Sequence, residues 1–323
     1  MPAGEPAPRP ASVSVVICAY TDERWADIVR AVQSVQGQSL APLETIVAVD
    51  HNPRLRARVE AELPGVVVTD NGQERGLSGA RNSGFAIARG DIVAFLDDDA
   101  WAEPDWLSTL AEAYADADVI GAGGAILPDW DAGRPRWWPD EFDWVVGCSY
   151  RGLPTMRADV RNSIGANMSF RRISLEAVGG FSHGIGRIGT RPLGGEETEL
   201  AIRARRMTRG ARIVYEPAAT VHHRVPASRS NARYFLSRCY AEGMSKAAIS
   251  RLVGAERALA SERSYAIRTL ASGVLHDAID TIRRRDPFGP ARAAWIVLGL
   301  ATTTLGYLVA SVSARPLTRT SEA

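Results

Sequence analysis

The sequence contains one lysine, Lys246, although lysine and arginine together number 38. Its basic charge is therefore almost all arginine, a planar donor matched to carboxylates and phosphates. Neither sign is in excess: 38 basic against 37 acidic residues leave a net charge of +1. That removes the global positive field expected of a nucleic-acid-binding protein. Cysteine is scarce too. Cys18, Cys148 and Cys239 are far apart, with no C-x-x-C or Cys/His zinc spacing. An odd, low count suits a reducing compartment. No G-x-G-x-x-G follows the first apolar run, which argues against a NAD-binding dehydrogenase. Residues 1–11 are rich in proline and alanine and lack an apolar stretch. They read as a disordered tail rather than a secretory signal.

What is present is an alternation of strands and helices. Residues 13–18, 44–49, 66–68 and 92–96 are apolar runs of strand length. Between them lie Ile28, Val29, Val32 and Val35 at helical spacing, a charged segment 54–63 and a helical segment 77–88. This β-α-β-α-β opening predicts an α/β fold with a mostly parallel sheet. Further on, 104–114 reads as a helix, 119–121 and 165–170 as strands, 194–209 as a helix, and 213–215 and 220–223 as late strands.

From 129 to 161 the composition changes. Trp130, Trp137, Trp138, Phe142, Trp144 and Tyr150 are crowded among prolines and charges. Such a segment is either an apolar cluster beneath a loop or an aromatic platform for a sugar ring or lipid. Beyond residue 230 the pattern is helical. Residues 293–314 carry no charge, a run long enough to span a bilayer, though its three threonines, two serines and several alanines also suit a soluble packing helix. Arg283, Arg284, Arg285 and Arg292 precede that run, and only Arg315 and Arg319 follow it. This bias predicts that the preceding domain sits on the cytoplasmic face of the cell membrane. Three regions are expected: the tail 1–11, an α/β domain 12–230 and a helical, membrane-associating region 231–323.

The strand at 92–96 runs straight into Asp97, Asp98 and Asp99. Adjacent carboxylates repel one another and call for a cation; hard oxygen ligands select Mg²⁺ or Mn²⁺. A solvated acidic turn is the plainer alternative. Parallel strands would bring Ala19, Tyr20, Thr21, Asp50, the loop from Gly76 to Asn82 and these aspartates to one sheet edge, where α/β folds bind ligands. Backbone N–H groups and Arg81 can meet phosphate there, and Asp50 can accept from a base or ribose. Together these parts describe a nucleotide-sugar site. Glu196 and Glu197 open a helix after two glycines; they either complement its dipole or supply a general base. Successive strand residues face opposite ways, so at most one of His222 and His223 can serve a common metal site.

The motifs resemble those of family 2 glycosyltransferases of the GT-A fold. They appear here as Cys18-Ala19-Tyr20-Thr21, Val49-Asp50-His51 (a histidine where a second aspartate is usual), the 74–84 loop with Gly76, Arg81 and Asn82, Asp97-Asp98-Asp99, and Glu196-Glu197. The resemblance implies nucleotide-sugar binding by Ala19, Tyr20, Thr21, Asp50, Gly76, Arg81, Asn82, Asp97 and Asp98. It implies a Mn²⁺ or Mg²⁺ ligand at Asp99, joined by His222 or His223, and a base at Glu197 beside Glu196. The runs 137–148 and 161–170 are similar to archaeal glucuronosyltransferases that extend dolichyl-phosphate-linked sugars. That implies a UDP-glucuronate donor, a polyprenyl-linked acceptor, and Arg161 or Arg203 on the donor carboxylate. A cell-wall or extracellular glycan acceptor, such as a rhamnan or galactofuran, and a catalytically silent sugar-nucleotide-binding scaffold are the competing expectations.

Overall fold

The computed structural model describes residues 11–186, 194–254, 265–275 and 286–313. The tail to residue 10, the 283–285 arginines and the chain beyond 313 lie outside the described residues.

Four strands alternate with helices in the first hundred residues: β1 (Val13–Ala19), α1 (Trp25–Gln36), β2 (Glu44–Val49), α2 (Pro53–Glu62), β3 (Val66–Asp70), α3 (Leu77–Ile87) and β4 (Ile92–Asp97). Pro53 starts α2 where its missing N–H costs nothing. The strands pair in parallel in the order β3-β2-β1-β4. Burial on both faces explains their continuous apolar runs: Val15 and Ile17 join one core cluster with α1 and α2, and Val16 joins another with α3. Gly84 lets α3 lie close to β1, since a Cβ there would meet Val16 at 2.5 Å.

The second half of the sheet is mixed. It adds β5 (Ala100–Ala102), α4 (Trp106–Ala113), β6 (Val119–Trp130), β7 (Ala158–Val160), β8 (Asn167–Arg171), α5 (Arg172–Val178), α6 (Glu196–Met207) and β9 (Arg212–Val225). The strand order continues β4-β8-β6-β9-β5, with β7 also on β9. β8 is antiparallel to both β4 and β6, whereas β6 and β9 are parallel. The two late strands expected at 213–215 and 220–223 are one strand, bent where its register on β6 slips between Gly124 and Ile126.

The 140–146 segment is a 3₁₀ helix in which Phe142 is buried, while Trp144 is half-buried and, with Tyr150, lines a cavity. Trp138 and Phe142 pack on Phe235 of α7 (Ala232–Val253), and Trp137 packs on Trp295 of α8 (Gly289–Val312). The aromatic segment is thus the seat on which the C-terminal helices rest. α7 and α8 touch through glycine: a Cβ on Gly243 would lie 2.0 Å from the Thr303 carbonyl, and one on Gly306 2.1 Å from that of Tyr240. α8 is long and apolar enough to cross a membrane, with a mean hydropathy of 1.7. Val297, Leu298, Leu305, Leu308, Val309 and Val312 stand exposed on it.

Candidate active site

The three aspartates follow β4 into a tight turn and have different partners. The Asp97 carboxylate accepts from Arg81 Nη2 at 3.3 Å. Asp98 accepts from Arg24 Nη1 at 2.7 Å. Asp99 Oδ1 lies 3.1 Å from His223 Nε2, while its Oδ2 is 3.1 Å from Arg24 and 3.5 Å from Arg229. The cause is strand pairing. β5 folds back antiparallel to β9 with Ala100 opposite His223, and Arg224 N donates to the Asp99 carbonyl at 2.9 Å.

Asp97, Asp99 and His223 each bring one ligand atom within 4.8 Å of the others. Two carboxylates and one imidazole form a donor set that fits Mn²⁺ well and Mg²⁺ acceptably. Burial alone would raise the Asp99 pKa, but His223, Arg24 and Arg229 outweigh it and hold the carboxyl well below its usual range. Asp98 is different. Burial pushes it up to about 7 against the pull of Arg24, with Asp99 and Asp97 adding to the rise. It is packed against Arg24, outside the Asp97–Asp99–His223 group.

His222 is likewise corrected. Alternation along β9 sends it to the other face, where it stacks on Trp101 and its Nε2 lies 2.6 Å from Glu103. Only His223 of the pair approaches the aspartates.

The loop residues divide in the same way. The Arg81 guanidinium is buried at the cavity wall and engaged by protein groups. It donates to Glu196 Oε1 at 2.7 Å and to the Gly165 carbonyl at 3.1 Å, besides Asp97. It therefore ties the aspartate turn to the start of α6. Asn82 spends its amide on the Phe181 backbone, accepting from N at 2.7 Å and donating to O at 2.9 Å. Asp50 accepts from Asn71 Nδ2 at 2.7 Å and Gly76 N at 3.0 Å, so it shapes the loop as well as closing β2. Beside it, the Ala19 carbonyl accepts from Asp50 N, the Thr21 hydroxyl accepts from Glu23 N, and the Tyr20 ring is exposed. Arg203 is held by Glu199, Ser182 and the Gly180 carbonyl; it does not line the cavity.

Glu196 and Glu197 begin α6 after Gly195, whose φ of +94° favours glycine. Burial, reinforced by the negative charge of Glu196, pushes Glu197 up to about 8. Both face a cavity of about 490 Å³ that also meets Asp97, His223, Arg161 and Arg229. Its far side is made by α7 and α8, including Arg238, Glu242, Lys246, Leu300, Thr303 and Tyr307. Arg24, Arg229 and the α7 residues were not legible as site residues. Their only sequence signal is a four-residue spacing from Tyr234 through Arg238 and Glu242 to Lys246.

Comparisons with known proteins agree with this arrangement. The profile described as Glycosyl transferase family 2 matches residues 14–179. A glucosyl-dolichyl phosphate glucuronosyltransferase of Haloferax volcanii is 38% identical over 238 residues, 72% of this chain and 76% of that protein. The succinoglycan biosynthesis protein ExoM of Rhizobium meliloti is 27% identical over 72% of both chains. Among solved structures, a mannosyltransferase from Pyrobaculum calidifontis in complex with GDP-Man and Mn²⁺ has a TM-score of 0.55 at 17% identity, covering 91% of this chain and 87% of that one. GalNAc-T7 with UDP, GalNAc and Mn²⁺ gives 0.52 at 18% identity, covering 72% and 48%.

Proposed function

Because the chain belongs to family 2 of the glycosyltransferases, we propose that it is a metal-dependent inverting transferase that moves glucuronate from its UDP ester to a hydroxyl of a polyprenyl-linked saccharide. The observation that supports this most is a single cavity with the Asp97–Asp99–His223 group at one end, Glu197 beside it and the apolar helix α8 along its wall. The donor and acceptor classes follow the similarity to the glucosyl-dolichyl phosphate glucuronosyltransferase.

In this reading Asp97, Asp99 and His223 would hold Mn²⁺ or Mg²⁺, which when bound would supply charge neutralisation for the departing diphosphate. The exposed Tyr20 ring and the β1–β2 edge take the nucleoside. Glu197, as carboxylate, removes the acceptor hydroxyl proton while that oxygen attacks the anomeric carbon. The glycosidic C–O bond forms as the bond to the UDP oxygen breaks, and UDP leaves. A base held near neutral pH suits that proton transfer. Arg81 spans the metal-side and base-side carboxylates, and so sets their separation. Residues 12–230 form the catalytic domain and 231–323 the membrane-associating region, with α8 in the bilayer and the catalytic domain on the cytoplasmic face.

The test is a donor and acceptor profile with product stereochemistry. UDP-, GDP- and TDP-sugars are offered with polyprenyl-phosphate glucose, and the anomeric configuration of the product is read by NMR. Selective use of UDP-glucuronate with inversion supports the proposal; retention overturns the mechanism. The likeness to ExoM favours a polysaccharide acceptor as the second reading. Efficient transfer to a lipid-free glycan, with none to the lipid-linked one, would select it.

A further inference from the structure

α7 presents four side chains to the active-site cavity at intervals of four residues: Tyr234, Arg238, Glu242 and Lys246. Four-residue spacing keeps them on one helical face. The stripe spans roughly 18 Å of helix, and its two ends are fixed by contacts. The N-terminal end follows Arg229, which sits 3.5 Å from Asp99. At the C-terminal end Ser245 Oγ accepts from Gly194 N at 3.0 Å, and Ile249 abuts Gly195. α7 therefore runs from the metal-side aspartates to the base-bearing start of α6.

Lys246 lies on the later part of that run, and Arg238 lies two turns before it, in the first half of α7. Lys246 Nζ is 2.9 Å from Glu242, and Glu242 is near enough to add to the rise in Glu197 proton affinity. The stripe therefore reaches from the metal side of the cavity to the place of the acceptor hydroxyl, with Lys246 at the latter end. Beside them on the same wall stand Leu300, Thr303 and Tyr307 of α8, whose outer face carries the exposed Leu298, Leu305 and Val309. One helix thus separates an apolar surface from a cavity whose lining carries both Arg238 and Lys246 and the carboxylates of Glu196, Glu197 and Glu242.

We propose that Arg238 and Lys246 form an anion subsite for the phosphate of a lipid-linked acceptor. They hold it one sugar ring from Glu197 while the lipid tail leaves along α8. The inference rests on the acceptor class proposed above. A guanidinium and an ammonium on one helix face are the groups that recognise a phosphate ester, and a neutral glycan would have no use for them.

Lys246 is the only lysine in the sequence, so an amine-acylating reagent reads this subsite directly, apart from the chain's α-amino group. With the full chain in detergent, farnesyl phosphate is expected to slow Lys246 acylation at least tenfold. Farnesol, inorganic phosphate and UDP with Mn²⁺ are each expected to change it less than twofold. Protection by UDP would overturn the proposal and place the cluster on the donor. Equal protection by farnesol would reduce it to an apolar contact, and equal protection by inorganic phosphate to a general anion site. In transfer assays R238A and K246A should each raise KM for polyprenyl-phosphate glucose about tenfold, with kcat and KM for octyl glucoside near wild type. Equal losses on both acceptors would contradict the subsite. Wild-type protein that protects Lys246 with farnesyl phosphate yet transfers nothing to the lipid-linked sugar would sink the acceptor assignment and leave the subsite standing.

Discussion

His223 Nε2 stands 3.1 Å from Asp99 Oδ1, although 124 positions separate the two in the chain. Their meeting depends on β5, three residues long, which pairs with β9 immediately after the aspartate turn.

That pairing gives the first prediction. H223A and D99A should each weaken Mn²⁺ binding at least ~100-fold, above the ~10–100-fold typical of residues one shell further out. H222A should leave it within about twofold, because the His222–Glu103 pair faces away and a partly exposed pair is worth ~0–1 kcal/mol. Calorimetric titration of Mn²⁺ without any substrate checks both. Loss of metal affinity in H222A would contradict the face assignment.

Glu197 makes the activity pH-dependent with a definite sign. Its folded-state pKa is raised to about 8 by burial and by Glu196, so below that pH it is mostly protonated and cannot act as a base. The kcat/KM of the wild type should rise with a midpoint near pH 8 and level off about one unit above it. E196Q removes the adjacent negative charge and should shift this rise to lower pH. E197Q should lower kcat by ~10²–10⁴-fold, the span of a lost general base. A flat profile in wild type would remove Glu197 from that role. The same shift has a stability consequence. The unfolded chain releases this proton near 4.5 and the folded chain near 8, so Glu197 costs stability as pH rises between those values.

Arg81 is expected to behave as a structural strut. Removing it leaves Glu196 and Asp97 without the guanidinium between them. Breaking a buried ion pair costs ~3–5 kcal/mol, so R81A should lose about that much in urea unfolding. A stable R81A with only a raised donor KM would restore it to the phosphate-binding role the sequence suggested.

The glycine contact between α7 and α8 is the fourth test. G306V places methyl groups against the Tyr240 carbonyl. Overpacking of this kind costs ~1–3 kcal/mol and should pry α8 from α7. Hydrogen exchange in 232–253 should accelerate in G306V, and the surface change L305A, on the exposed side of α8, should leave it unaltered.

Much of this was legible in the sequence, for identifiable reasons. β1, β2 and β4 are buried on both faces and announce themselves as unbroken apolar runs. The aspartate turn and the 74–84 loop carry local motifs. β5 and β7, three residues each, are too short for any periodicity, and the α5 turn is hidden among arginines. The choice between His222 and His223 required the phase of β9 against β5, a relation between distant segments. Arg81 and Asn82 look like open ligands in a glycine-rich loop. Their actual partners, Glu196 and Phe181, are 115 and 99 residues away, so their burial had no local signature. The aromatic segment could be read two ways because it does two things: Trp137 and Trp138 pack under Trp295 and Phe235, while Trp144 and Tyr150 line the cavity.

In the proposed reaction Asp99 and Glu197 serve one transfer to a lipid-linked acceptor. The most direct measurement is the transfer of radiolabelled glucuronate from UDP-glucuronate to polyprenyl-phosphate glucose, counted in the organic phase. Wild-type protein should label that phase, lose the signal with a chelator, regain it with Mn²⁺, and give none as D99A or E197Q. Label that reaches the organic phase regardless of chelator, or undiminished in both variants, would contradict the account.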